Sequence, residues 1–147
     1  MPATFKAIAA LGAATALALA GAGPAAAKSS GTPTIPLNPG QVTAKARTGA
    51  SGFFSYRISG GAQFCYTLTV RNLTGPDVGA EIGFAPRNAD GPRSFGLITS
   101  TGTDWTIDTC MTLPPVDLEA IAADPGSYYV NVYSTTFPGG EIRGQLK

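Results

Sequence analysis

Residues Tyr128 to Leu146 read YYVNVYSTTFPGGEIRGQL, two strand-like runs around a Pro138-Gly139-Gly140 turn. The second run sets Ile142, Gly144 and Leu146 against Glu141, Arg143 and Gln145, the period-two pattern of a strand with one apolar and one polar face. Glycines in the turn supply backbone freedom, and Gly144 marks a close approach within the strand. Tyr128–Ser134 and Glu141–Leu146 are therefore expected as a closing pair of strands. Arg143 has two readings: part of a ligand surface, or the partner of an acid on the neighbouring strand, where a cross-strand pair contributes up to ~1 kcal/mol.

The same period extends upstream. Phe54, Tyr56 and Ile58 alternate with polar neighbours, as do Phe64, Tyr66, Leu68 and Val70, with Gly60-Gly61 between them. Two such runs around a glycine loop make a hairpin. Val78–Phe84, Phe95–Thr99 and Trp105–Met111 are further strands, separated by Asn88-Ala89-Asp90-Gly91-Pro92 and Thr101-Gly102-Thr103. One helix is expected over Val116–Ala123. It follows Pro114-Pro115, has Asp117 and Glu119 near its start and stops at Asp124-Pro125-Gly126. It would present Leu118 and Ile121 to the core. Regular short strands with a single helix point to an all-β sandwich or barrel.

Residues 1–27 stand outside that pattern. Lys6, an Ala/Leu-rich run from Ala7 to Ala20 and the Ala25-Ala26-Ala27 tripeptide ahead of Lys28 have the order of a secretory signal peptide. The apolar core is short for a spanning helix. Residues 28–40, rich in Pro, Ser, Thr and Gly, read as a flexible leader outside a domain at 41–147. The expected location is extracellular, after cleavage near Ala27-Lys28.

The chain has ten basic and nine acidic residues and no histidine. Losing Lys6 with the signal leaves the charges balanced, without the basic footprint of a nucleic-acid or anionic-lipid binder. Cys65 and Cys110 are the two cysteines, and in an exported chain an even pair reads as a disulfide. In the chain-entropy model such a bridge contributes on the order of 4 kcal/mol. The spacing is unlike the C-x-x-C of a redox-active pair. Asn72-Leu73-Thr74 matches the N-glycosylation acceptor pattern, a chance match if the alanine-rich signal is bacterial.

The wording of Tyr128–Leu146 closely resembles the ending of the CHRD (chordin-type) domain, a YxVNVHTxxxPxGEIRGQL-like run. Cys65-Tyr66-Thr67-Leu68-Thr69-Val70 resembles the family's YxLTV strand, and Ala80-Glu81-Ile82-Gly83 stands where the family commonly shows A-H-I-H. The resemblance covers about Thr48 to Leu146. It implies an antiparallel immunoglobulin-like β-sandwich, here with one short helix near 116–123, and a bacterial-type secreted member. Three departures coincide: Glu81, Gly83 and Tyr133 occupy the usual histidine positions. Clustered histidines on strands would suit copper or zinc, and this chain lacks those ligands. No cofactor is expected. If Glu81 and Tyr133 fill the place of a histidine cluster, their side chains lie close and the hydroxyl can donate to the carboxylate; otherwise each faces solvent separately.

Without histidine, a Ser-His-Asp or Cys-His arrangement has no imidazole base. Asp104 and Asp108, flanking Trp105, are the remaining acid pair, and a glycosidase would place two carboxylates about a scissile bond. Their plainer role is as turn and edge residues, with Trp105 in the core or covering its rim. The reading reached is an exported, non-catalytic binding or structural module. Its partner would be an extracellular protein or a cell-surface polymer, with Glu81, Tyr133 and Arg143 as its candidate binding surface. The alternatives are a carboxylate-based hydrolase and a degenerate metal domain of the superoxide-dismutase kind. A binding module also predicts an exposed apolar patch, with Phe53, Phe84, Tyr128 and Phe137 as candidates.

Overall fold

The computed structural model describes residues 33–147. The expected signal peptide (1–27) and the start of the expected leader (28–32) lie outside the described residues. In chain order the strands are β1 Ile35–Leu37, β2 Ser51–Ser59, β3 Gln63–Arg71, β4 Asp77–Phe84, β5 Arg93–Leu97 and β6 Trp105–Thr112. The helix α1, Pro115–Ala123, precedes β7 Tyr128–Ser134 and β8 Ile142–Gln145. Two four-stranded antiparallel sheets result, the first ordered β1-β2-β3-β6 and the second β5-β4-β7-β8. The fold is an all-β sandwich with one helix, as the periodicity and the resemblance both require.

The alternating residues explain the layers. β2 and β3 pair from Ser51↔Arg71 to Ser59↔Gln63 around the Gly60-Gly61-Ala62 loop, where Gly61 and Ala62 take positive φ. Phe54, Phe64, Tyr66, Leu68 and Val70 point inward and are almost fully buried, whereas Ile58 emerges at the strand end. The rings of Phe54, Tyr56, Phe64 and Tyr66 pack stacked or tilted at 5.4–6.5 Å between centroids. Phe95 of β5 meets Phe64 edge-on at 5.5 Å and so joins the two sheets. Contacts of this kind add about 0.5–1.5 kcal/mol each beyond the area they bury. The Tyr66 hydroxyl closes the same side, accepting from Ile98 N–H and donating to its carbonyl. Helix α1 contributes Leu118 and Ile121 to the core. Cys65 and Cys110 stand directly opposite each other on β3 and β6 and are bonded.

The leader reading fails for its described part. Ile35 and Leu37 are each 1% exposed, and β1 pairs with Phe54, Phe53 and Gly52 of β2. Two apolar residues on either side of Pro36 are too short a pattern to read as a strand. Pro36 is tolerated because β1 is an edge strand, where one missing N–H breaks no central ladder. Asn38 continues the run and exchanges two backbone hydrogen bonds with Arg143, at 3.1 and 3.2 Å. That bridge stitches the β1 edge of the first sheet to the β8 edge of the second.

Candidate functional site

The outer face of the second sheet collects Glu81, Gly83 and Tyr133, the positions that the resemblance would give to histidine. Along β4 it carries Gly79, Glu81 and Gly83; along β7, Tyr129, Asn131 and Tyr133; along β8, Arg143 and Gln145. Glu81 is registered with Gly96 on one side and Asn131 on the other, and Tyr133 lies opposite Gly79. Glu81 and Tyr133 are thus diagonal neighbours on adjacent strands, within reach of long side chains. Burial first, and then the neighbouring Glu81 carboxylate, hold the Tyr133 phenol well above its ordinary value of 10.0. Arg93, which the sequence reading missed, approaches Glu81 with its Nε 3.7 Å from Oε2. It lies across Gly96, where an added Cβ would fall 2.1 Å from its Nη2. Its side chain is 63% exposed, so the pair contributes little stability.

Gly83 leaves no room for a side chain. A Cβ at this position would stand 2.3 Å from Cζ of Tyr129, whose ring lies across the glycine. The Arg143 guanidinium sits 3.5 Å above the centre of that ring, a cation–π contact that fills the remaining space. One carboxylate, one phenol and an occupied glycine do not make the donor set of a copper or zinc site. Among the described residues no three His, Cys, Asp or Glu side chains converge.

Arg143 does not form part of an accessible surface, and its partner is not an acid on the next strand. Its side chain is 2% exposed. Nη1 donates to Ala89 O at 2.7 Å and Nη2 to Pro86 O at 3.2 Å, while Asp90, itself well exposed, approaches at 3.6 Å. Burial lowers the guanidinium pKa, opposed by Tyr129, Asp90 and Tyr133. Gln145 acts in parallel, donating to Ala85 O and Gly126 O. Glu141 is fully buried and accepts from Thr74 N–H and the Ser134 hydroxyl. The polar face of the GEIRGQ run is therefore turned onto loop backbone. Segment 85–92 covers it, also held by Tyr129 Oη donating to Gly91 O. Alternation in the sequence identified the polar face; what lay over it had no local signal.

The acid pair does ordinary structural work, Asp104 just before β6 and Asp108 within it. Asp104 accepts from Asn72 N–H and the Thr103 hydroxyl, and these bonds hold its pKa below the usual value, the wrong direction for a general acid. Asp108 accepts from Thr67 on the open face of the first sheet, and Trp105 is buried in the core. A surface cavity of about 230 Å³ near β1 is lined by Asn38, Gln41, Arg87 and Gln145 among others, with no carboxylate side chain. The four candidate apolar residues do not form one patch. Phe53 is on β2 opposite Pro36, Phe84 packs edge-on against Tyr128 at 5.1 Å, and Phe137 lies in the β7–β8 turn.

Comparison with known proteins agrees with this architecture. No curated protein and no solved structure matches the chain. A family model described as the CHRD domain matches residues 34–146, which begins at β1 and takes in every strand and the helix. The match includes the β7–β8 hairpin and the outer face just described, and on that span the chain belongs to the CHRD domain family.

Proposed function

We propose that this chain is an exported, non-catalytic binding or structural module of CHRD type, freed from its signal peptide near Ala27-Lys28. It binds an extracellular protein or a cell-surface polymer through the outer face of the second sheet. The observation that carries this reading is the division of labour on that face. Arg143, Gln145 and Tyr129 are engaged with loop backbone, while Glu81, Arg93 and Tyr133 remain together at the rim, with a carboxylate, a guanidinium and a phenol to offer. Such a group recognises hydroxyl and amide functions without catalysing their cleavage. The disulfide fits an oxidising compartment. Among the described residues no helix is long and apolar enough to cross a membrane.

The test is native mass spectrometry of the protein recovered from the medium of its own host. The expected species starts at Lys28, is two hydrogens lighter than the reduced chain, and carries a bound partner or forms a defined oligomer. Glu81→Ala with Arg93→Ala should release that partner while the circular dichroism spectrum stays unchanged. Polysaccharide turnover by the purified protein, abolished by Asp104→Ala, would overturn the reading in favour of a hydrolase.

A further inference from the structure

Among the described residues no loop covers the central rows of the first sheet's outer face, and the disulfide lies in one of them. Arg57, Cys65 and Cys110 form a row across β2, β3 and β6, and Ser55, Thr67 and Asp108 form the next. Cys65 is 7% exposed, flanked by a strand on each side; Cys110 is exposed on β6, the edge strand, with no strand beyond it among the described residues. A cavity of about 60 Å³ opens beside Cys65, lined by Ser55, Arg57, Thr67 and Asp108 among others. Directly opposed residues have Cβ atoms about 4.5–5.5 Å apart, so the Arg57 side chain starts next to the Cys65 sulfur.

We propose that Cys65–Cys110 is a thiol–disulfide exchange site for a small soluble monothiol, attacked at Cys110. In-line approach to Cys110 Sγ comes from the open side of β6, whereas the corresponding approach to Cys65 Sγ is hindered by β2. The incoming thiolate forms a bond to Cys110 Sγ, the Cys65–Cys110 bond breaks, and its electron pair leaves on Cys65 Sγ. The departing thiolate faces Arg57, whose positive charge stabilises it; Asp108, held by Thr67, is the carboxylate sharing that cavity. The product is a mixed disulfide on Cys110 with a free Cys65. A second monothiol then attacks the sulfur of the bound thiol, releasing the dimeric disulfide and leaving both cysteines reduced. The two strands stay together without the bond, because their ladder runs through eight residue pairs from Gln63↔Thr112 to Val70↔Trp105. The reaction is independent of the second sheet and of any partner bound there.

The experiment incubates the folded, oxidised protein with excess reduced glutathione, quenches by alkylation, and follows intact mass and peptide maps. The expected first product carries one glutathione on the Cys110 peptide and an alkylated Cys65, with the β-sheet circular dichroism retained. It forms within about tenfold of the rate seen in urea, since access is not limiting. Arg57→Ala, at an exposed position, should slow the step roughly three- to tenfold, and Arg57→Lys should restore it, because the leaving thiolate needs only a nearby positive charge. Glutathione found on Cys65, a rate indifferent to Arg57, or reduction occurring only on unfolding would each overturn the proposal.

Discussion

β6 and β8 are both edge strands with a polar residue at every second position, yet they meet opposite environments. On β6, Thr106, Asp108, Cys110 and Thr112 all stand in solvent. On β8, Arg143 is 1% and Gln145 7% exposed. Among the described residues the first sheet leaves its outer face open, whereas the second has segment 85–92 laid across it, held from below by side-chain donors. Alternation reports that a face is polar; whether it is wet depends on whether loop carbonyls come to meet it. The energetic roles follow. Polar groups on the open face exchange water for neighbours at almost no net gain, while buried donors aimed at carbonyls carry the full cost of being left unpaired.

The most direct way to break this contrast is Arg143→Ala. It removes the Arg143 donors from Ala89 O and Pro86 O, leaving Pro86 O only the Ala89 N–H, and removes the cation–π contact, so a loss of about 3 kcal/mol is expected, read as a lowered urea midpoint at unchanged slope. Arg143→Lys should recover only a small part, since an ammonium cannot span both carbonyls and stack on Tyr129. Gly83→Ala comes next. Its methyl must displace the Tyr129 ring, which costs about 1–3 kcal/mol by the same measurement, and a Gly83→Ala, Tyr129→Ala double variant should show coupling between the sites. The smallest effect belongs to the open face. Thr106→Ala, which removes exposed contacts with Thr69 and Arg71, should move stability by no more than about 0.5 kcal/mol. A Thr106→Ala effect as large as that of Arg143→Ala would erase the distinction between the two faces.

Most of the scaffold could be read from residue order. Long alternating runs such as Phe64–Val70 and the proline-led, Gly-terminated helix segment carry their own periodicity and punctuation, and both appear where expected. β1 could not be read, because two apolar residues around a proline have no period to detect. The candidate surface was legible only in part. Glu81 and Tyr133 came from positions that the resemblance would give to histidine, and the register places them on one face. Arg93 was hidden because it reaches Glu81 only by lying across Gly96, and a bulge between Ile82 and Gly83 shifts the register there. The burial of Arg143 was equally hidden. It depends on residues 86–90, more than fifty positions upstream, and nothing local to the GEIRGQ run encodes them.

The backbone bridge between Asn38 and Arg143 also sets an order in time. It joins residues near opposite ends of the described chain, and the loop ties of Arg143 and Gln145 depend on the same last strand. The β2–β3 hairpin can form as soon as it emerges, but the seam between the sheets cannot close until β8 is present. Contacts of such long sequence separation form slowly, since the loop entropy must be overcome before they contribute. A nascent chain therefore stays open along one side until β8 arrives.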